Sequence, residues 1–505
     1  MAREEELKFS VPGVFTLPDL TDPEVGVAQV VEGGRLALKA TYYDTPDLRL
    51  ARNNVTLRHR TGEGGPRWTL KLPVSGSGPS VRDEIEVAGP AGAIPESLCD
   101  LTIGWVRDSE LLPITTLRTD RKVRLLLGAE GEELAEVVDD TVSVMEGRRL
   151  ASRFREIEVE RRAISDETLS AVARRLAESG AIAGEFTPKV IRALGPRARA
   201  AGDLPPPIEV GPEHPAADAI GSAVREGAAR LIGNDLGVRR REYDAVHQMR
   251  VACRRMRSDL RTFSPLVEQE WATSLRAELS WLAGVLGGPR DLEVMRERLT
   301  ATAVRDPLAP MDMDAVARMD AELAERERRL LAELDEALRS VRYRRLLDQV
   351  LAAARSPEVT PTARGEPSSE ALPPLVAVTW DALERKGRKL TPVAPDDKWH
   401  RVRILAKRAR YASEAVAPSL GDGAVRFAKA AQRVQTVLGE HQDAAVAAQT
   451  WLDIASHHRD DPELVVTAGR LAERERAAVR AARSAFPEAW RDIKRRGALR
   501  WMGRG

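Results

Sequence analysis

The sequence predicts an α+β multidomain protein in which an antiparallel β barrel precedes an all-helical region. Before about residue 205, short segments alternate charged and aliphatic residues between Gly, Pro and Asp, which is typical of strands. Beyond it, nearly every segment has helical periodicity. The Pro/Gly-rich stretch GPRARAAGDLPPPIEVGPEHP separates the two. We therefore expect a first domain at 1–203, a linker at 204–212 and a helical domain at 213–500, with repeat halves at about 213–355 and 372–500.

Composition limits the classes of protein that fit. With 505 residues, 43% of them hydrophobic, the chain can form two or three cores. Cys99 and Cys253 fall in different predicted domains, so we expect no structural disulfide, which fits a reducing cytoplasm. The sequence has neither a signal peptide pattern nor a long apolar run, and we expect a cytoplasmic protein that does not interact with membranes.

Several predicted strands place charge on one face only. Arg58 and Arg60 share a face of TLRHR, because side chains two apart point the same way. Glu156, Glu158 and Glu160 share a face of REIEVER. For a single strand, a polar face in water explains such a pattern equally well. Because some strands are basic and others acidic, closing the sheet would give a barrel whose interior mixes carboxylates with Lys and Arg.

This mixture of charges suits a polyphosphate substrate that binds together with a metal ion. Carboxylates are the ligands that Mg²⁺ or Mn²⁺ prefers, and Arg and Lys bind phosphoryl oxygens. A bound metal can activate water for hydrolysis of a phosphoanhydride. The chain contains no G-x4-G-K-[ST] loop and no convincing Ser/His/Asp or Cys/His constellation.

The same residues resemble the signature of the CYTH domain, the triphosphate tunnel metalloenzymes. E-x-E-x-K stands at the N-terminus, and LRHR, TLK, R-x-E, T-x-R, DD, E-x-E and TPK follow in family order over roughly residues 1–200. The resemblance implies an eight-stranded antiparallel tunnel with two sets of site residues. The basic, catalytic set binds the triphosphate: Lys8, Arg58, Arg60, Lys71, Arg82, Arg121 and Lys189. The carboxylate set holds one or two Mg²⁺ or Mn²⁺ ions: Glu4, Glu6, Asp140, Glu156 and Glu158.

The helical half repeats one unusual pattern. HQMRVACRRMRSDLR begins at His247 and HRVRILAKRARYASE begins at His400, and both follow H-x2-R-x3-[RK]-R-x-R. At about 100° per residue, the basic residues of the first copy fall within an arc of roughly 80° on one helix face. Like charges at this spacing repel each other, so a multivalent anion would stabilise the face. A solvated basic face is the alternative, and the duplication favours an anion site.

A second repeated match follows each copy: LGGPRDLEV and LGEHQDAAV, which contain Asp291 and Asp443. These aspartates either cap helices or orient a basic partner, and capping is slightly favoured. The copies differ where His441 corresponds to Pro289. Asp396 is expected to cap the helix that carries His400.

From about residue 213 the chain is similar to the CHAD domain. This resemblance implies two four-helix bundles related by pseudo-twofold symmetry, with a basic channel that binds inorganic polyphosphate. The residues that match are His247, Arg250, Arg254 and Arg257 in the first copy and His400, Arg403, Lys407 and Arg410 in the second, to which we add His441. Zinc binding by the histidines is disfavoured, because they lack His or Cys neighbours at zinc spacing. Nucleic acid is also disfavoured, because no recognition motif accompanies the basic faces.

Together these patterns predict a metal-dependent inorganic triphosphatase, which converts tripolyphosphate to pyrophosphate and phosphate, joined to a helical module that binds long-chain polyphosphate. The alternative is a non-catalytic protein that binds polyphosphate or associates with polyphosphate granules. The clustered carboxylates favour the enzyme, because a protein that only binds polyphosphate needs no metal ligands. Thiamine triphosphate hydrolysis and adenylate cyclisation are weaker choices, since we identify no contacts for an organic group.

Overall fold

The computed structural model of the chain describes residues 3–4, 6–73, 82–184, 187–494 and 499–503, of which Arg3 and Glu4 are described by their backbone alone. The chain forms two compact units, Met1–Asp203 and Leu204–Gly505. Glu4, one of the predicted metal ligands, lies outside the residues whose side chains are described.

The first unit is built on one antiparallel sheet, as the alternating sequence predicts. Its ten strands are β1 (Arg3–Glu4), β2 (Glu6–Val11), β3 (Gln29–Asp44), β4 (Thr56–Thr61), β5 (Arg67–Pro73), β6 (Arg82–Ala88), β7 (Leu112–Leu127), β8 (Glu133–Glu146), β9 (Arg149–Arg161) and β10 (Ile182–Ala183). Four helices accompany them: α1 (Arg49–Arg52), α2 (Glu96–Val106), α3 (Asp166–Glu178) and α4 (Lys189–Leu194).

The sheet differs from the expected closed, eight-stranded tunnel. Its hydrogen-bonded order is β1-β6-β5-β4-β3-β7-β8-β9-β2-β10, and within the described residues the two end strands do not pair with each other. Among the described residues, the N-terminal segment contributes β1 and β2, and β10 adds two residues at the edge of the sheet. The N-terminal segment nevertheless contacts both sides of the sheet, since β1 pairs with β6 and β2 pairs with β9.

The aliphatic positions of the strands form the core of this unit. Phe9, Ile157 and Val159 pack in one buried cluster with Val172 and Leu176 of α3. Because side chains alternate along a strand, burying Ile157 and Val159 on this face turns the neighbouring glutamates of β9 to the opposite face. The charged face of the sheet therefore points away from the α3 core.

The second unit consists of helices joined by loops in its described residues, which confirms the predicted all-α region. Its helices are α5 (Ala216–Gly233), α6 (Asp235–Arg239), α7 (Ala245–Thr262), α8 (Gln269–Ala303), α9 (Met313–Arg339), α10 (Val341–Arg355), α11 (Pro361–Gly365), α12 (Ser368–Ala371), α13 (Pro373–Gly387), α14 (Asp396–Leu420), α15 (Asp422–His457) and α16 (Pro462–Ile493). In the described part of the chain, none of the helices combines the length and the apolar character that a membrane crossing requires.

The repeated motifs occupy equivalent helices. The two basic motifs lie on α7 and α14, and the two aspartate motifs lie within the long helices α8 and α15. The halves also share a core, because Leu299 of α8, Met319 of α9, Trp451 of α15 and Leu471 of α16 belong to one buried cluster. This shared cluster brings α8, α9, α15 and α16 together at one end of the unit.

The predicted capping role of Asp396 is wrong. Helix α14 begins at Asp396 itself, and Pro395 precedes it as the N-cap residue. The Asp396 carboxylate instead accepts hydrogen bonds from Arg476 and Arg483 of α16, at 2.7 and 2.5 Å. It therefore joins α14 to α16, where two guanidinium groups offer more favourable partners than the helix's own N–H groups.

Candidate functional site

The charged face of the first unit encloses a cavity of about 470 Å³. Side chains from β2 to β9 and from the start of α4 line it. All seven predicted phosphate-binding residues take part: Lys8, Arg58, Arg60, Lys71, Arg82, Arg121 and Lys189. Of the predicted metal ligands, Glu6 and Glu158 line the cavity, while Asp140 and Glu156 lie buried beside Glu158.

One wall of this cavity is cationic. Arg58 and Arg60 come from β4, and Lys71 comes from β5, where it lies opposite Thr56 of β4. Lys71 Nζ is 3.1 Å from Glu84 Oε2, and Arg58 Nη2 is 3.6 Å from Glu84 Oε1, so one carboxylate faces two cations. Burial and the neighbouring Arg58 lower the pKa of Arg60, which shows that positive charge is crowded here. An anion in the cavity would relieve this repulsion.

The strands β2, β8 and β9 bring carboxylates together at this cavity, and strand register explains why they meet. Pairing of β2 with β9 places Glu6 opposite Glu160, and pairing of β8 with β9 places Asp140 opposite Glu156. Two groups of three acids result, Glu6–Glu158–Glu160 and Asp140–Glu156–Glu158, each with ligand oxygens within 4.8 Å of one another. Glu158 belongs to both groups.

Three cations neutralise the buried acids. Lys189 Nζ lies 2.9 Å from Asp140, 3.0 Å from Glu156 and 2.8 Å from Glu158. Arg121 donates two hydrogen bonds of 2.9 Å to Asp140. Burial alone would raise the pKa of Glu158. The cations Lys189, Lys8 and Arg121 nevertheless hold this pKa well below its usual range. Glu158 is therefore ionised at neutral pH.

The pKa of Glu6 is shifted in the opposite direction to that of Glu158. Burial and the neighbouring Glu158 raise its pKa, because two carboxylates that share a site resist ionisation together. Lys8 offsets part of this repulsion, at 3.2 Å from Glu6 and 2.5 Å from Glu158. A divalent cation would favour the ionised form of Glu6 for the same electrostatic reason.

The residues present fit a hard divalent cation. Both groups offer only carboxylate oxygens, the donors that Mg²⁺ and Mn²⁺ prefer. The Oε1 atoms of Glu156 and Glu158 are buried and accept no aligned hydrogen bond, although an ammonium group lies 3.0 and 2.5 Å away. These atoms retain lone pairs for a ligand.

The lining also contains residues that were not predicted as site residues, among them Glu160 and Tyr42. Glu160 follows Glu156 and Glu158 on the same face of β9, so the alternation already contained the signal. Tyr42 lines the cavity from β3, opposite Arg58. A single aromatic residue forms no sequence pattern that would indicate a site.

The second unit contains a cationic groove of about 190 Å³ between α7 and α14. Four predicted residues line it: Arg254, Arg257, Arg403 and Lys407. The Arg254 guanidinium donates a hydrogen bond of 3.0 Å to the hydroxyl of Tyr411 on α14, which links the two copies of the motif. The repeated basic faces thus meet in one groove.

The repeated aspartates orient the repeated arginines. Asp291 accepts a hydrogen bond of 2.6 Å from Arg250, and Asp443 Oδ1 lies 3.7 Å from Arg403 Nη2. Both aspartates lie inside long helices, so the capping interpretation is wrong. Of the two histidines that open the motifs, His400 has a hydrogen bond of 2.7 Å to Gln442, and burial lowers the pKa of His247.

Five predicted binding residues do not line the groove: His247, Arg250, His400, Arg410 and His441. His441 is buried and stacks on Trp399 with ring centroids 5.1 Å apart, and its Nε2 accepts a hydrogen bond from Arg483. Burial and Arg483 lower its pKa to about 4, so it is neutral at physiological pH. Arg410 donates to Glu414 at 2.6 Å and is neutralised within its own helix. Neither side chain belongs with the groove-lining cations.

Lys407 would make the binding of a polyanion in this groove pH-dependent. Burial and the cations Arg403, Arg254 and Arg250 lower its pKa to about 7, and Asp443 only partly opposes them. A bound polyanion favours the charged ammonium and so raises this pKa. We expect full affinity below pH 7, and a decrease of up to about tenfold per unit as pH rises above it, because binding then requires proton uptake.

Titrating the protein with long-chain polyphosphate from pH 6 to 9 checks this expectation. Lys407→Met should bind more weakly at pH 6 and show a flat profile above pH 7. The same slope in the wild type and in Lys407→Met would contradict the assignment to Lys407.

Comparison with known proteins gives matches to both units. Residues 2–193 match the model of the CYTH domain, and residues 222–453 match that of the CHAD domain. Two proteins from strains of Mycobacterium tuberculosis, both named as uncharacterized, are 34% identical over 508 residues, which cover 94% of this chain and 92% of each relative. Among solved structures, PptA from Streptomyces chartreusis is 27% identical and covers 55% of this chain and 99% of its own, with a TM-score of 0.48.

Proposed function

Because the chain belongs to the family in which a CYTH domain precedes a CHAD domain, we propose that it is a metal-dependent inorganic triphosphatase with a polyphosphate-binding helical unit. The CYTH domain assigns the first unit to the triphosphate tunnel metalloenzymes, a group of metal-dependent hydrolases and cyclases. The proposal specifies the reaction as hydrolysis of tripolyphosphate to pyrophosphate and phosphate, with Mg²⁺ or Mn²⁺ as the cofactor.

The observation that carries this proposal is that cations and potential metal ligands line one cavity of the first unit. Arg58, Arg60 and Lys71 line it together with Glu6, Glu158 and Glu160, and Asp140 and Glu156 lie buried beside Glu158. A triphosphate anion needs cations along its length and a metal at the reacting phosphoryl group. The cavity supplies both types of partner, and among its described lining residues Tyr42 is the one aromatic. This lining supports an inorganic substrate over one with an organic group.

The cationic residues would bind and orient the substrate. Arg guanidinium groups bind phosphoryl oxygens in a bidentate fashion, whereas Lys acts as a point charge. Arg58 and Arg60 would therefore fix the direction of the chain in the cavity. Lys71 would neutralise charge on the same side, because it shares Glu84 with Arg58.

The carboxylates would hold the metal. Glu6, Glu158 and Glu160 form one ligand group, and Asp140 and Glu156 complete a second with Glu158. A divalent cation bound there polarises phosphoryl oxygens and lowers the pKa of a bound water. In the hydrolysis, the water oxygen bonds to the terminal phosphorus as its bridging P–O bond breaks, and pyrophosphate leaves. Arg121 and Lys189 would stabilise developing negative charge beside the acids they contact.

Phosphate release from tripolyphosphate, ATP and thiamine triphosphate, each with Mg²⁺ or Mn²⁺, tests the proposal. We expect turnover of tripolyphosphate to be fastest, and to stop in excess EDTA and return when metal is added. Full activity in EDTA would refute the metal-dependent mechanism. Binding of tripolyphosphate without turnover under any of these conditions would favour the non-catalytic alternative.

The second unit would bind long-chain polyphosphate in the groove between α7 and α14. Arg254, Arg257, Arg403 and Lys407 face one narrow space, and their mutual repulsion is relieved by a polyanion. A narrow groove suits a flexible phosphate chain better than a rigid duplex. Residence in the cytoplasm and association with polyphosphate granules are parts of this proposal, which localisation of the tagged protein would check.

A further inference from the structure

Four arginines near the groove have cationic neighbours and no acidic partner. Arg257 and Arg261 lie on α7, Arg276 on α8 and Arg408 on α14. Among the described residues, none of their side chains forms an ion pair or a hydrogen bond. Arg276 and Arg408 fall outside the basic set expected from the repeated motif.

The neighbouring cations make this arrangement electrostatically unfavourable. Burial, Arg261 and Arg257 lower the pKa of Arg276, and burial, Arg261 and Arg276 lower that of Arg408. Burial and Arg261 also lower the pKa of Arg257. The four guanidinium groups therefore repel one another through space, and repulsion of this kind is relieved when an anion binds between them.

Other arginines of the same unit form ion pairs with acidic side chains. Arg296 donates to Asp320 and Glu327, Arg298 contacts Glu440 and Glu475, and Arg342 donates to Glu278. Single exposed arginines without a partner also occur among the described residues of this unit, such as Arg345 and Arg426, but the four arginines near the groove lie together and repel one another. An anionic ligand supplies the missing partners.

The cluster continues the groove already described. Arg257, Arg261 and Arg408 line the same cavity as Arg254, Arg403 and Lys407. On α7, Arg250 and Arg261 are eleven residues apart, which is about 16 Å at a rise of ~1.5 Å per residue. The cations thus follow one path along α7 and α14, and Arg276 of α8 stands beside the Arg261 end.

We infer that Arg261, Arg276 and Arg408, next to Arg257 of the groove, form a second phosphate subsite, which binds the part of a polyphosphate chain that extends beyond the predicted binding residues. This inference rests on the proposed polyphosphate binding. It adds the residues that would make affinity depend on the length of the polyphosphate chain. Short chains fill only one end of the path. Longer chains reach the four arginines and gain contacts, so affinity rises with length until the path is full.

The test compares Arg276→Gln/Arg408→Gln with the wild type, using polyphosphates of defined length and the full chain. We expect affinity for long chains to fall at least about tenfold, and the slope of log affinity against log salt to decrease by about 1.4, at ~0.7 per lost phosphate contact. Affinity for short chains should change less, so the variant should lose its dependence on length. The double lysine variant, Arg276→Lys/Arg408→Lys, should recover most of the affinity.

The matched control is Arg345→Gln/Arg426→Gln, which removes two exposed arginines of α10 and α15 that do not line the groove. Unfolding midpoints show whether each variant is folded. If the wild type binds no polyphosphate, the proposed function fails. If the wild type binds polyphosphate and Arg276→Gln/Arg408→Gln has the same affinity for long chains as the control variant, only the second subsite is refuted. Equal loss of affinity for duplex DNA would also refute it, because the arginines would then be a nonspecific basic surface.

Discussion

Replacing Glu158 with Gln should lower tripolyphosphate turnover by at least about 100-fold, or roughly 3 kcal/mol of transition-state stabilisation. Glu158 is the acid common to both groups of potential ligands, so its loss affects every arrangement of one or two metals. Gln keeps the size of the side chain and removes its charge. The low pKa of Glu158 ensures that the wild-type residue is ionised at the pH of the assay.

The variant also leaves Lys8 and Lys189 without part of their negative partner, so folding must be measured separately. An unfolding midpoint and a Mn²⁺ titration distinguish a misfolded protein from a folded protein that has lost its metal. Glu133→Gln is the matched control, because Glu133 is an exposed acid at the start of β8. Wild-type turnover by folded Glu158→Gln, or unchanged Mn²⁺ affinity, would remove Glu158 from the metal site.

The second large effect is expected when both copies of the basic motif are changed. Arg250→Gln/Arg254→Gln should weaken binding of long-chain polyphosphate strongly, and adding Arg403→Gln/Lys407→Gln should nearly abolish it. Residues of both copies line one groove, and Arg254 contacts Tyr411 of the other copy. A bound chain therefore contacts α7 and α14 at once, and neither copy forms a complete site.

Salt dependence gives this prediction a quantitative form. Each lost phosphate contact should reduce the slope of log affinity against log salt by about 0.7, so four lost cations reduce it by about 3. Wild-type binding should resist competition by duplex DNA, because a narrow groove between helices excludes a rigid helix about 20 Å wide. Additive, independent losses from the two copies, or effective competition by DNA, would replace the shared groove with two separate basic surfaces.

The sequence alone determined the division of the chain and the character of its faces. A period of two placed Glu156 and Glu158 on one face of a strand, and a period of 3.6 placed Arg250 and Arg254 on one face of a helix. Because these periods are local, they can be read without knowing what the segment contacts. Duplication of the basic motif predicted an anion site for the same reason, since it compares the chain only with itself.

The tertiary structure decided which faces meet. Pairing of β2 with β9 brought Glu160 to Glu6, and the start of α4 carried Lys189 into contact with three acids. It also turned Asp291 toward Arg250 and placed His441 against Trp399. No local period encodes these contacts, because partners far apart in sequence meet only when strands take their register and helices pack. Burial then fixed the charge states: it and the surrounding cations lowered the pKa of Lys407 to about 7, a property that no sequence motif contains.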